Sequence, residues 1–397
     1  MALVHPSGFG SCHLERGENL LQSRHAKNAK QPTTTQTRAT PILPSGFPIF
    51  LDSKLAWSTS EVSSVLEYTY HLTQEDRVEI DNALKSFIAR GLDGDLVDST
   101  NFPLPNLRQT LGQQSLEVHT GRGFCLIRGL EYWKYSVEDN MVIFLGIQSF
   151  IAEKRARQDE KGNMIVHIVT DDTVALNPLK EFHTRHSKSS IPFHTDHLGD
   201  ILAFQTRSTA ARGGNCILSP AYTIYNELVA TRPDIIWILS QPSWPLHIPY
   251  YHQRALLFYE DSRIIFNFAP NALLGSKAHP RPTNIPSLSP RQLEALTLVQ
   301  ALAEKHKIAI PTQMGDLHFI NNLALVHRRD SVEVSPGGKR HLVRMYLRNE
   351  ALAWKIPEAL NNTCGWEEAY WQGEDLEQIW HIEPMPDVFF PLIRKPN

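Results

Sequence analysis

The stretch Ile191-Pro192-Phe193-His194-Thr195-Asp196 decides how this chain is read. On a strand, side chains alternate faces, so His194 and Asp196 point one way while Phe193 and Thr195 point the other. An imidazole and a carboxylate so placed hold two adjacent corners of a divalent metal. A second His from elsewhere completes a 2-His-1-carboxylate face that leaves positions open on Fe(II). The triplet alone discriminates little. With 18 His and 42 Asp+Glu in 397 residues, composition gives roughly two His-x-acid triplets by chance. The chain has three, beginning at His13, His194 and His381. Context has to choose.

Downstream of Asp196, residues 201–205 and 211–218 read as two strands, and the Gly213-Gly214 pair between them allows a tight hairpin. Gly315-Asp316 turns into the run 317–327, which ends on His327. After a polar loop with Pro336-Gly337-Gly338 comes a strand at 341–348. Leu342, Arg344, Tyr346 and Arg348 share one of its faces, and Val343, Met345 and Leu347 the other. Each inward Arg needs an anion, either a protein carboxylate or a ligand. His194, Asp196 and His327 followed by an inward Arg suit one chemistry. Two neutral imidazoles and a carboxylate hold Fe(II), a 2-oxo acid chelates two open positions, and O2 takes the last. Arg grips the distal carboxylate bidentately, as Lys does not. An internal salt bridge is the other reading of Arg344.

Upstream, Thr73 and Asp76 start a helix whose stripe is Ile80, Leu84, Phe87 and Ile88, and Gly91 ends it. Residues 104–119 read as helix, 124–128 as strand, 136–151 as helix and 164–168 as strand. His167, inside that last strand, is read as a hydrogen-bonded core residue. A zinc alternative using His183, His186 and His194 has no periodicity to put them on one face. Short helices at 222–230 and 233–239 precede a strand at 263–268. Ser289-Pro290-Arg291-Gln292 then opens a helix that buries Leu293, Leu296, Val299 and Ala303.

The formal charge of −3 gives no electrostatic case for nucleic acid or for a membrane surface. No apolar run approaches the ~18 residues of a membrane span. Cys12, Cys125, Cys216 and Cys364 lack CxxC spacing, so reduced thiols are expected. Residues 1–40 read as a disordered lead in which Glu15 and Glu18 argue against a transit peptide. Residues 41–397 are expected to form a single domain with helical elements before the barrel and an extension after it. The expected location is cytoplasmic, and a homo-oligomer stays open.

Several motifs together resemble the TauD/TfdA-like, clavaminate-synthase-like Fe(II)/2-oxoglutarate-dependent dioxygenases, especially their fungal branch. They are Gly121-Arg-Gly-Phe124, Arg128-Gly-Leu130, Phe193-His-Thr-Asp196, Gly213-Gly214, Tyr225-Asn-Glu-Leu228, Gly315-Asp316, Asn321-Asn322, His327 and Arg344-Met-Tyr-Leu-Arg348, within residues 73–350. The resemblance implies a mainly β fold: a double-stranded β-helix (jelly-roll, cupin-like) core with flanking helices. It assigns His194, Asp196 and His327 to iron and implies 2-oxoglutarate as cosubstrate. Arg344 matches the arginine that binds the 2-oxoglutarate carboxylate, and Arg348 the next position on that face, which contacts substrate in sulfonate-using relatives. Cys216 stands where bacterial relatives carry a Thr that helps hold the same carboxylate, and a thiol donates poorly.

The expected activity is therefore an Fe(II)/2-oxoglutarate-dependent oxygenase that consumes O2 and acts on a small molecule, with a secondary-metabolite intermediate as the leading class. Hydroxylation, desaturation, epoxidation and rearrangement are not separated by these residues. Trp244, Tyr251 and Arg348 are candidate pocket residues. The rivals are a catalytically silent cupin-like binding or regulatory protein, favoured by Cys216 and the long loop after His327, and a protein demethylase, for which no basic patch speaks.

Overall fold

Lys339–Arg348 is the longest strand among the described residues, and it divides the interior in two. Its Val343, Met345 and Leu347 enter one apolar cluster while Tyr346 enters the other, the alternation read from the sequence. In this computed structural model the described residues are 42–62, 64–171, 186–248, 250–276, 280–370 and 378–384. The proposed disordered lead and His183 lie outside them.

The large sheet runs in the order Thr69–His71, Phe124–Arg128, Leu317–Asn321, Ile201–Ser208, Lys339–Arg348 and Lys154–Ala156, and Val166–Asp171 also pairs with Lys339–Arg348. All its pairs are antiparallel except the first. Ile80, Leu84 and Phe87 of Gln74–Ala89, Leu107 and Leu111 of Leu107–His119, and Ile143 and Phe144 of Val137–Gln148 cover its outer face. A smaller antiparallel sheet joins Ile308–Ile310, Cys216–Pro220 and Leu325–Arg329. Helices Ala221–Thr231, Pro233–Ser240 and Pro290–Lys305 contribute to the core on that side. The result is the expected jelly-roll core with flanking helices, and residues of both sheets line one cavity.

Local sequence explains the helix starts. Thr73 with Asp76, and Ser289 with Gln292, each form the reciprocal capping box, with a cap worth typically about 1 kcal/mol. Ile88 and Leu293, expected on the buried stripes of their helices, are exposed instead, and the strands differ in three places. The run 317–327 is two strands, Leu317–Asn321 and Leu325–Arg329, separated by a turn. The strand expected at 164–168 lies at Val166–Asp171. Residues 191–196 form no regular strand; only His194 makes a bridge, to His327. Pro192 has no N–H to give a ladder, and side chains fix this segment instead. Gln300 bonds both the N–H and the carbonyl of Phe193, at 3.0 and 2.6 Å.

Candidate metal centre and its cavity

Two main-chain hydrogen bonds bring the key imidazoles together. His194 N–H donates to the His327 carbonyl at 2.9 Å, and His327 N–H to the His194 carbonyl at 2.8 Å. Asp196 is placed by Asn322 from the turn between the two strands: Oδ1 of Asn322 accepts its N–H at 2.8 Å, and Nδ2 donates to its carbonyl at 3.1 Å. Between them, Thr195 Oγ1 accepts from Phe268 N–H at 2.8 Å. His194 and Asp196 thus converge without strand alternation.

His194, Asp196 and His327 form a group whose ligand atoms lie within 4.8 Å of one another. Asp196 Oδ1 is 3.8 Å from Nε2 of each His. His194 Nδ1 lies 2.9 Å from the Pro192 carbonyl. A carbonyl only accepts, so Nδ1 is the donor, and Nε2 is the nitrogen turned toward Asp196. Burial, then the His194 imidazole, pushes His327 down to about 3 against the pull of Asp196, so that ring is neutral at physiological pH. Burial works to raise the Asp196 carboxyl, but Arg344 and the two imidazoles hold it well below the usual carboxylate range. Two imidazoles, His327 held neutral, and an ionised carboxylate suit a divalent ion.

Each expected residue has a definite place. Arg344 Nη1 donates to Asp196 Oδ2 at 2.6 Å, and its Nη2 to Gln158 Oε1 at 3.2 Å. Tyr346 Oη also donates to Asp196 Oδ2, at 3.0 Å. Arg348 is not among the cavity-lining residues. It lies between Asp200, at 2.9 Å, and Glu367, at 2.5 Å, so two carboxylates within the fold already answer its charge. Cys216 lines the cavity, and burial pushes its thiol up to about 12 against the opposing charge of Arg340. Trp244 is fully buried with its indole N–H on the Ile238 carbonyl, and Tyr251 is exposed. Leu246 and Ile248, from the same stretch, reach the cavity in their stead. His167 is a core residue paired with His341 at 2.9 Å. His186 bonds the Val169 carbonyl and is in no metal group among the described residues.

The cavity, of about 210 Å³, holds two groups that sequence reading missed, Arg340 and Arg254. Arg340 is on the inner face of Lys339–Arg348, just before a register shift at His341 and Leu342. Its Nε and Nη2 donate to the Gly214 carbonyl, and its Nη1 is buried with no partner. Burial, then the Arg329 guanidinium, lowers it to about 9. Thr206, which lines the same wall, has an unpartnered buried Oγ1. The four-residue spacing that marked Arg344 and Arg348 also marks Arg340, and that was the available signal.

Comparisons with known proteins agree with this architecture. The sequence model of the taurine catabolism dioxygenase TauD, TfdA family matches residues 89–346. The chain is 32% identical over 350 residues to a taurine hydroxylase-like protein, SAT17, of Stachybotrys chartarum, covering 85% of this chain and 90% of that protein. It is 23% identical over 312 residues to FR-33289 synthase of Streptomyces rubellomurinus, covering 74% and 89%. Among solved structures, an asparagine oxygenase in complex with Fe(II), hydroxyasparagine and succinate superposes with a TM-score of 0.54 at 15% identity, covering 71% of this chain and 93% of that one. The non-heme iron oxygenase OrfP in complex with Fe and alpha-ketoglutaric acid gives 0.52 at 14%, covering 70% and 94%.

Proposed function

Because the chain belongs to the TauD/TfdA family of dioxygenases, we propose that it is an Fe(II)- and 2-oxoglutarate-dependent oxygenase that hydroxylates a small organic molecule, with His194, Asp196 and His327 as its metal ligands. The observation that carries this reading is the convergence of two imidazoles and one carboxylate, their ligand atoms within 4.8 Å of one another, at the wall of a cavity. When bound, the iron activates O2, whose reduction is coupled to decarboxylation of 2-oxoglutarate to succinate and CO2 and to oxidation of a substrate C–H bond.

The remaining work falls to the chain's own side chains. Arg344 and Tyr346 hold Asp196 Oδ2, which leaves Oδ1 turned toward the two imidazoles. We place the far carboxylate of 2-oxoglutarate at Arg340 instead of Arg344. Arg340 has a buried, unpartnered Nη1 and only a neutral carbonyl as acceptor, whereas Arg344 already has a carboxylate. Cys216 supports this choice, because the arginine whose charge acts on its thiol is Arg340. The substrate contact expected of Arg348 is withdrawn, since Asp200 and Glu367 already answer its charge away from the cavity. A secondary-metabolite intermediate remains the substrate class we favour, and hydroxylation the outcome.

The test is succinate formation from 2-oxoglutarate with Fe(II) and O2, in native and Asp196→Ala protein. Native turnover with loss in the variant is expected. Equal turnover in both would remove Asp196 from the metal site, and none in either would leave a silent binding protein.

A further inference from the structure

Arg340 borders a second hollow besides the metal-centre cavity. It too measures about 210 Å³. Thr206, Asn215, Thr312, Arg340 and Leu342 line both, so the two share a wall. The rest of the second hollow is formed by residues 208–214, which join Ile201–Ser208 to Cys216–Pro220 and do not line the metal-centre cavity. Thr209, Ala211, Arg212 and Gly213 are exposed there, so this hollow opens to solvent. Arg340 stands four residues before Arg344, the residue that holds Asp196, which puts it roughly 13 Å further along the strand. Viewed from the metal ligands, the opening therefore lies behind Arg340.

Its frame is fixed by the main chain. Ala211 N–H donates to the Glu333 carbonyl at 2.9 Å, Gly214 N–H to the Ser331 carbonyl at 3.1 Å, and Gly213 pairs with Val332. Gly214 lets the guanidinium close against it, since a Cβ there would fall 2.7 Å from Arg340 Nε. Arg340 is thus held at the junction, with Nε and Nη2 on the Gly214 carbonyl and Nη1 unpartnered.

The two sides of that junction differ in chemistry. Leu246, Ile248, Ala269 and Ala272 give the metal-centre cavity an apolar wall. The hollow behind Arg340 carries Ser208, Thr209, Asn215 and Thr312, with Arg212 at its rim. A dianion that passes an apolar wall loses its hydration without replacement, whereas hydroxyls, an amide and guanidinium groups replace it. The Arg212 side chain is 82% exposed and lies 3.9 Å from Glu333, a loose surface pair that leaves its charge available to draw anions inward.

We propose that this hollow is a rear mouth of the barrel, by which 2-oxoglutarate reaches Arg340 and succinate leaves, while the apolar side admits the organic substrate. The route rests on the oxygenase reading, because only a 2-oxo acid has to reach Arg340. Cosubstrate and its product then exchange independently of the substrate.

Anaerobic stopped-flow mixing of the full-length, Fe(II)-loaded protein with 2-oxoglutarate tests this, read by the charge-transfer absorption of the bound 2-oxo acid. Observed rates against concentration give association and dissociation, and a static titration gives Kd. Ala211→Trp and, as a second variant should the first fail to fold, Thr209→Trp each place an indole in the rear mouth, at positions that do not line the metal-centre cavity. Association and dissociation should both slow by about tenfold with Kd within about twofold of native, because an obstructed path raises a barrier and leaves the end states alone. Arg212→Glu should slow association by about threefold at low salt and by less at high salt. Native-like rates in both Trp variants overturn the proposal. So does a Kd that weakens while association stays native, which would make the turn part of the binding site and not a path to it. Native protein that binds no 2-oxoglutarate would sink the oxygenase reading and the route with it, a result distinct from unaltered rates in the variants.

Discussion

Arg344 holds one oxygen of Asp196 and leaves the other free: Nη1 lies 2.6 Å from Oδ2, while Oδ1 looks toward the imidazoles. The pair lies within a largely buried site, with side-chain exposures of 9% and 11%. Removing one partner of such a pair leaves an unanswered charge, at a cost of about 3–5 kcal/mol. Arg344→Met should therefore destabilise the metal-free protein by about 3 kcal/mol in urea titrations. Added Mn(II) should restore more stability to the variant than to the native protein, because the ion supplies the missing positive charge.

Arg340 and Arg344 have different roles in this scheme, and kinetics separate them. Arg340→Gln should raise the KM for 2-oxoglutarate by more than tenfold with little change in metal affinity. Arg344→Gln should weaken the metal first. The reverse pattern would return the cosubstrate to Arg344.

Arg348 gives a contrasting result. Arg348→Ala leaves Asp200 buried without its cation, and Asp200 also takes the Trp366 indole N–H at 2.6 Å. Denaturation should show a loss of about 3–5 kcal/mol. Among folded molecules, KM for 2-oxoglutarate and for substrate should stay within twofold of native.

Gly199 tests the support behind Tyr346. Its φ is +93°, and an added Cβ would fall 2.6 Å from the Tyr346 ring. Gly199→Ala should cost about 1–3 kcal/mol, from backbone strain and crowding together. It should also loosen Fe(II) binding, by moving the hydroxyl away from Asp196 Oδ2. A stability loss with unchanged metal affinity would mean that Tyr346 has no part in holding the ligand.

Acid should unfold the protein through the pair His167 and His341. Burial pushes His167 down to about 4 despite its bond to the His381 carbonyl, and burial with the His167 ring pushes His341 to about 2. Both lie below the unfolded value of about 6.5, so the unfolded chain takes up protons first. The stability is complete well above about pH 6.5 and falls as the pH drops toward 4, by about 5 kcal/mol for the two rings together at pH 4.5. His341→Gln should flatten that slope in pH-dependent urea titrations.

What could be read from the residues alone was local. Thr73 with Asp76, and Ser289 with Gln292, announce their helices within four positions. The alternation of Val343, Arg344, Met345 and Tyr346 separates core from cavity. What escaped depends on distant partners. Asp200 and Glu367 flank Arg348 only after the chain has folded. Arg340 falls before the strand start expected at residue 341, and the register shift beside it arises from pairing with Ile201–Ser208. His194 and Asp196 were paired for a geometric reason that fails at Pro192, yet Asn322 and His327 bring them to the same point.

The reciprocal bonds between His194 and His327 use main-chain atoms alone. Truncating either side chain to alanine leaves both donors and both acceptors in place. The ligands are thus ordered by folding itself, so the conformational entropy of gathering them is lost before the ion arrives. Unlike a domain whose fold depends on its metal, this barrel should keep its shape through cycles of chelation and reloading. Alanine at His194 or His327 should give a folded protein with an empty corner, a background on which the open positions around a metal can be counted one ligand at a time.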